Sequence, residues 1–280
     1  MNKLARDQVL ARLKQLPSLP SAVSGVLASF ADEDIDIERI AAHIARDQGL
    51  TARVLRVANS SFYGLQTRVG TINDAVVVLG FRAVRSMALA VGMSGVFRVE
   101  QCHGFDAAAY LRHGVGTGLA ARLLAPLAGQ NPDLAFVGGL LHDIGQLVLA
   151  AAFPQQFEEA LAYQRHEDGF AIDAEREILG IDHAEVGGML ADTWHFPAAL
   201  CEAVAGHHQP QAFPAGSLAN LIHVASATAH ALGLAGAAHE LLMPVDDRAW
   251  ASVGADRAAY IRALAHIEKD FEEACGALMV

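Results

Sequence analysis

The sequence predicts an all-α fold built from many helices, on three observations. Hydrophobic residues make up 53% of the 280 residues and aromatics only 6%, and the dominance of alanine and leucine favours packed helices over sheets. Apolar residues recur at helical spacing, as in Ile37, Ile40, Ala41 and Ile44, with charged residues on the outer side. No alternating strand pattern, short-period repeat, Gly-rich phosphate loop or GxSxG elbow interrupts them. A chain of this length can bury a large core as one big domain or two sub-domains.

In order along the chain, Leu4 to Leu16 reads as a short amphipathic helix, punctuated by Pro17 and Pro20. A second helix is expected over Ala22 to Phe30. Asp32-Glu33-Asp34 reads as a solvated loop, and Asp36 as the N-cap of the helix carrying Ile37 to Ile44. After Asp47-Gln48-Gly49, Leu50 to Ala58 forms the next helix, with Arg53 and Arg56 on a solvated face. Asn59 to Gly64 is a turn. Thr71-Ile72-Asn73-Asp74 resembles a capping box opening a helix that Gly80 closes. Ala83 to Phe97 is another apolar helix.

Arg98 to Gly104 is a polar connector, which sets the expected boundary between an amino-terminal helical sub-domain, 1–104, and a second helical half, 105–280. Asp106 opens a helix to about Ala125 that carries His113 among glycines and alanines. Further helices are expected at Phe157 to Arg165, Ile172 to Leu179, from Asp182 to the break at Trp194-His195-Phe196-Pro197, and at Ala198 to Gly206. Ser217 to Leu232 and Arg257 to Leu278 complete the chain.

The stretch that organises the second half is Phe136 to Leu149, where His142-Asp143 sits inside an otherwise apolar run. It is read as one helix continuing to Ala152, with the two side chains splayed by about 100°. Each then needs its own buried partner, and a divalent metal held by imidazole and carboxylate satisfies both. The competing reading pairs Asp143 with an arginine and leaves His142 a hydrogen-bonded core histidine. Gly138, Gly139 and Gly145 lower helix propensity and imply close packing.

Taken as a set, His113, His142, Asp143, His183, His207 and His208 all lie at helices or helix ends of the same half. Neutral imidazoles with a carboxylate suit a divalent zinc, iron, manganese or nickel ion. Read singly, His183 and His207 could be exposed and His208 could cap a helix C-terminus. His43, His103, His166, His195, His230, His239 and His266 are scattered and receive no role.

Charge and cysteine usage exclude other classes. A formal net charge of -11 and a pI near 5.6 argue against non-specific binding to nucleic acid or anionic membranes. Cys102, Cys201 and Cys275 form no CxxC pair, neither a disulfide framework nor a thiolate knuckle, which suits a reducing cytoplasm. The amino terminus leads into no apolar h-region, and no uncharged apolar stretch reaches the roughly 20 residues that span a bilayer. A soluble, cytoplasmic protein is expected.

These segments resemble the HDOD family, the HD-related output domains of bacterial signalling proteins. The resemblance rests on Leu16-Pro17-Ser18-Leu19-Pro20, Arg46 to Thr51, Leu55 to Ser60, Leu79-Gly80, Gly139 to Gly145, Glu175-Arg176-Glu177, Gly180 to Gly187, Trp194 to Pro197 and His207-His208. It covers about residues 10 to 210, and the amino-terminal Asn-Ser motif is not a feature of HD hydrolases generally. It implies an all-α HD-like fold whose half from about His113 is related to metal-dependent HD phosphohydrolases. There a first His, the His-Asp pair and a later Asp hold metal that activates water; the first three map onto His113, His142 and Asp143. His183, His207 and His208 match additional metal ligands of HD-GYP cyclic-dinucleotide phosphodiesterases. The later Asp position is taken by Ser226, and the GYP motif is absent.

Two functions from different classes follow. One is a non-catalytic regulatory module that keeps an HD-type metal site and signals through protein contacts. The other is a metal-dependent phosphohydrolase acting on a nucleotide or cyclic dinucleotide, with His223, one turn before Ser226, as a substitute ligand.

Overall fold

The computed structural model describes residues 3–30, 36–60, 63–93, 96–236, 241–254 and 256–278. These form α-helices with no strand among them. The amino-terminal part comprises α1 (Arg6–Leu13), α2 (Ser21–Ala28), α3 (Ile37–Arg46), α4 (Gln48–Ala58), α5 (Ile72–Leu79) and α6 (Phe81–Met93). The remainder holds α7 (Ala107–Leu124), α8 (Pro132–Leu141), α9 (Ile144–Ala152), α10 (Pro154–Glu167), α11 (Ala171–Ile178), α12 (His183–Thr193), α13 (Ala198–Gly206), α14 (Leu218–Ala231), α15 (Asp247–Val253) and α16 (Arg257–Leu278).

Local cap chemistry sets many of these starts. Asp36, Asp106 and Asp182 accept the backbone N–H of Arg39, Ala109 and Glu185 at 2.8–2.9 Å, satisfying donors that a helix start leaves free. Thr71 and Asp74 close a reciprocal capping box at 3.0 Å each way. Asp47 caps α4 through Leu50, so that helix starts before the expected Leu50. The loop expected at Asp32-Glu33-Asp34 lies outside the described residues, as do Ser61, Phe62 and His239.

Three expectations need correction. The helix expected over Ala83 to Phe97 starts at Phe81, is described over Phe81–Met93, and does not include Phe97. His166 and Glu167, expected in a loop, extend α10, which ends at Asp168 in the left-handed region (φ 49°). The largest correction concerns the His-Asp segment, which is two helices rather than one. His142 turns its Nδ1 back onto the Gly139 carbonyl at 2.6 Å, an acceptor that a continuing helix would offer to the Asp143 N–H. Asp143 then leaves helical geometry (φ -93°, ψ 13°) and α9 starts afresh at Ile144.

The long helix α7 sits at the centre, packed against α8, α14 and α16. The amino-terminal helices join through α6 on α8, while α16 reaches back to α4. Buried apolar residues from Val9 to Ala277 make one contiguous core. Close helix approach explains the glycines of the His-Asp segment. A Cβ on Gly139 would stand 2.7 Å from the Gly118 Cα, and one on Gly145 would overlap the His183 carbonyl. The 21 residues Pro132–Ala152 are long and apolar enough to cross a membrane by composition alone, yet here they are two helices mostly buried in the core.

Candidate metal centre

Five imidazoles and one carboxylate converge at the centre of the carboxy-terminal half. α7 supplies His113, the α8–α9 break His142 and Asp143, the first turn of α12 His183, and the end of α13 His207 and His208. All six residues expected from the sequence are thus brought together. Asp143 Oδ1 lies 3.4 Å from His142 Nε2, 3.2 Å from His183 Nε2 and 3.3 Å from His207 Nε2. His113 Nε2 is 3.2 Å from His142 Nε2 and 3.9 Å from Asp143 Oδ2. His208 Nε2 stands 3.0 Å from His183 Nε2. His113, His142, His183 and His207 are buried, which removes the exposed readings of His183 and His207.

The outer nitrogens decide what the inner ones can do. His142 Nδ1 faces the Gly139 carbonyl at 2.6 Å and His207 Nδ1 the Val204 carbonyl at 2.9 Å. His183 Nδ1 faces the Glu175 carboxylate at 2.7 Å. These partners only accept, so each Nδ1 carries the proton, and in a neutral ring the opposite Nε2 is a bare lone pair. With all three rings neutral, three lone pairs point at a carboxylate oxygen with no proton to share, and without an ion only a protonated ring, as His183 favours, relieves this. A divalent cation resolves that conflict. The 3.0–3.4 Å spacings also match the edges of a coordination polyhedron with bonds of about 2.1 Å, roughly 3.0 Å for octahedral and 3.4 Å for tetrahedral geometry. Two overlapping groups could hold an ion, one of Asp143, His183, His207 and His208, the other of His113, His142 and Asp143.

Electrostatics without an ion display the same tension. Burial drives His142 down to about 4 and lowers His113 and His208. Burial would raise Asp143, but His142 and His183 outweigh it and hold the carboxyl well below its usual range. Burial would lower His183, but Glu175 and Asp143 together raise it. No arginine stands within ion-pair distance of Asp143 among the described residues, so the Asp–Arg reading fails.

Ser226 lies where the sequence placed it, on α14, with Oγ 3.3 Å from His113 Nε2. His223 is not available as its substitute. Its Nδ1 meets the His207 carbonyl at 2.7 Å and its Nε2 accepts the Asp246 N–H at 3.0 Å, so both nitrogens are committed to pinning the backbone around His207. Three site residues received no role from the sequence. Glu175, almost fully buried, holds both the ring and the backbone N–H of His183 at 2.7 Å. Gln146 donates to Asp143 Oδ2 at 3.0 Å. The His230 ring lies 4.2 Å from that of His113. Glu175 was visible only inside the Glu175-Arg176-Glu177 motif; Gln146 and His230 carry no sequence signal. A cleft of about 330 Å³ opens onto Asp143, His208 and His230, with Tyr110, Gln146 and Arg165 along it.

Comparison with known proteins supports this architecture. An uncharacterized protein of Treponema pallidum (strain Nichols) is 26% identical over 208 residues, 74% of this chain and 40% of that protein. The chain thus spans about two fifths of the length of that curated relative. A crystal structure of an HDOD domain protein of unknown function from Geobacter sulfurreducens superposes with a TM-score of 0.78 at 24% identity, covering 98% of both chains. A "Putative phosphohydrolase" from Shewanella amazonensis SB2B superposes at 0.77 with 28% identity, covering 96% of this chain and 97% of that one. The HDOD domain model matches residues 16–210, and the chain, with its helical fold and its buried His-Asp cluster, belongs to the HDOD family.

Proposed function

We propose that this protein is a non-catalytic regulatory module of bacterial signal transduction, acting through protein contacts in the cytoplasm, with a divalent ion held by its histidine cluster. The observation that carries this reading is the neutral Ser226 hydroxyl beside His113, with His223 locked elsewhere. Asp143 is the only carboxylate among the proposed ligands, so the negative charge needed to keep two adjacent cations is missing. His113, His142, Asp143, His183, His207 and His208 would hold the ion, which is zinc, iron, manganese or nickel by ligand type. Its chemistry when bound would be polarisation of water or of a phosphoryl oxygen. The protein's part is orientation: Gly139, Val204 and Glu175 fix three ring tautomers. The proposed partners are signalling proteins, with no direct nucleic-acid or membrane binding.

One observation favours a second reading, a metal-dependent phosphohydrolase on a nucleotide or cyclic dinucleotide. The cleft reaches the cluster at Asp143 and is large enough to admit a ligand. One experiment separates the two. Metal content is measured by elemental mass spectrometry in untagged wild type and His142→Ala, and phosphodiester hydrolysis in wild type and Ser226→Asp. The regulatory reading expects metal in the wild type, little in His142→Ala, and no turnover by the wild type. Metal-dependent turnover by the wild type that His142→Ala abolishes would replace it with the enzyme. Absence of metal after incubation with all four ions would sink the metal site in both readings.

A further inference from the structure

A chamber of about 140 Å³ lies where the amino-terminal helices meet the carboxy-terminal half. One stripe of α7 lines it, through Ala107, Tyr110, Leu111, Gly114 and Val115, the i, i+3, i+4, i+7, i+8 spacing of a single helix face. α8 and α9 contribute Leu140, Ile144 and Leu147, and α6 contributes Ala90 and Met93.

Packing alone does not account for this space. Folded cores leave few voids larger than a water molecule, and here two alanines, Ala90 and Ala107, stand on the wall where longer apolar side chains would take up room. The wall is also incompletely covered. Val99, Leu140, Leu147 and Leu278 pack against the core and line the chamber, yet each remains only half-buried. An apolar occupant would complete their removal from water.

The lining selects that occupant by chemistry and by size. Among the described residues it carries no charged side chain, and Tyr110 is the one lining residue with a hydroxyl. An ion would lose its hydration there without a compensating partner, and an ordered water needs about two to four polar partners. The chamber is also far smaller than the roughly 300–1,000 Å³ of sites that take drug-sized ligands. Dry apolar cavities of about 150 Å³ accept benzene. Among the described residues the chamber shares only Tyr110 with the cleft that reaches the histidine cluster.

We propose that this chamber binds a small neutral apolar molecule, about the size of a single aromatic ring. The site is distinct from the histidine cluster and independent of the function proposed for it.

The test follows the methyl groups of the full chain, ¹³C-labelled at alanine, isoleucine, leucine and valine, during titration with benzene and, separately, with benzoate as its charged counterpart. Ala90→Leu and Ala107→Leu fill the chamber from α6 and α7, and circular dichroism confirms that each variant folds. Ala107, half-buried in the first turn of α7, is the milder of the two changes. We expect benzene to shift the methyls of Leu111, Val115 and Leu147 with saturation below about 10 mM, and to bind each filled variant about tenfold more weakly. Benzoate is expected to leave those methyls in place. No shift, shifts confined to Leu161 and Ile172 in the cleft, or binding unchanged in both filled variants would overturn the site. Benzoate as effective as benzene at the chamber methyls would overturn the neutral apolar occupant.

Discussion

At the scale of the residue, Glu175 does more than its neighbours on α11. It is buried beneath His183 and accepts from the ring and the backbone at 2.7 Å, so it fixes which nitrogen faces the cluster. A carboxylate behind a ligating imidazole also raises its basicity. Glu175→Gln is therefore expected to weaken metal affinity about 10- to 100-fold while the far-ultraviolet dichroism stays unchanged. Chelator competition measures this, and equal affinities in the two proteins would remove Glu175 from the site. Composition and spacing could not single this residue out. Glu175 and His183 stand on different helices, and only the turn at Gly180 (φ 75°) brings them face to face. The six ligand candidates were legible from the His-Asp pair in an apolar run, from their place in one half of the chain and from the family resemblance. Histidine alone did not mark them, since His223 and His230 on the equally apolar α14 were not among the six. The geometry of the six was not legible, since it depends on four separate helix ends meeting.

Helix ends are the elements on which the site is built. Asp182 caps α12 through Glu185 and binds Arg176 Nε at 2.8 Å with its other oxygen, so His183 starts the helix at a fixed angle. Asp182→Ala is expected to cost about 1 kcal/mol of stability from the lost cap and to loosen metal binding as well. Thermal unfolding with and without metal checks both, and a stability loss with unchanged affinity would show that the cap does not position His183. Caps of this kind were readable from sequence because a cap side chain bonds a backbone only two or three residues away. Asp36, Thr71, Asp106 and Asp182 all acted as read. The α8–α9 break was not readable, because apolar periodicity runs straight through it and the interruption comes from the His142 side chain. α15 was missed although Asp246 caps it through Ala249 at 2.8 Å, as seven residues carry too little periodicity to register.

At the scale of the whole molecule, the buried histidines couple folding to pH. His142 titrates near 4 in the native chain, and His113 and His208 are lowered too, all chiefly by burial. The unfolded chain takes up those protons from about pH 6.5 downward, so their contribution is complete above 6.5 and fades as pH falls toward 4. His183 has the opposite sign, being raised by Glu175 and Asp143 against burial; its contribution is fully present below about pH 6.5 and is lost only as pH rises above that, so it does not vary over this interval. For His142 alone the change amounts to about 3 kcal/mol. Metal-free protein is thus expected to melt at progressively lower temperature between pH 6.5 and 4 in differential scanning calorimetry. A melting temperature that is flat or rising over that interval would contradict the buried neutral histidines.

The His142-Asp143 break has a consequence before the chain has folded. Residues 132–152 leave the ribosome as 21 residues that by length and composition could be taken for a bilayer span. Asp143 stands near the middle of that stretch, where an aspartate disfavours insertion by about 3 kcal/mol. The carboxylate that organises the mature site therefore also biases the nascent segment away from the translocation machinery and toward its place in the core.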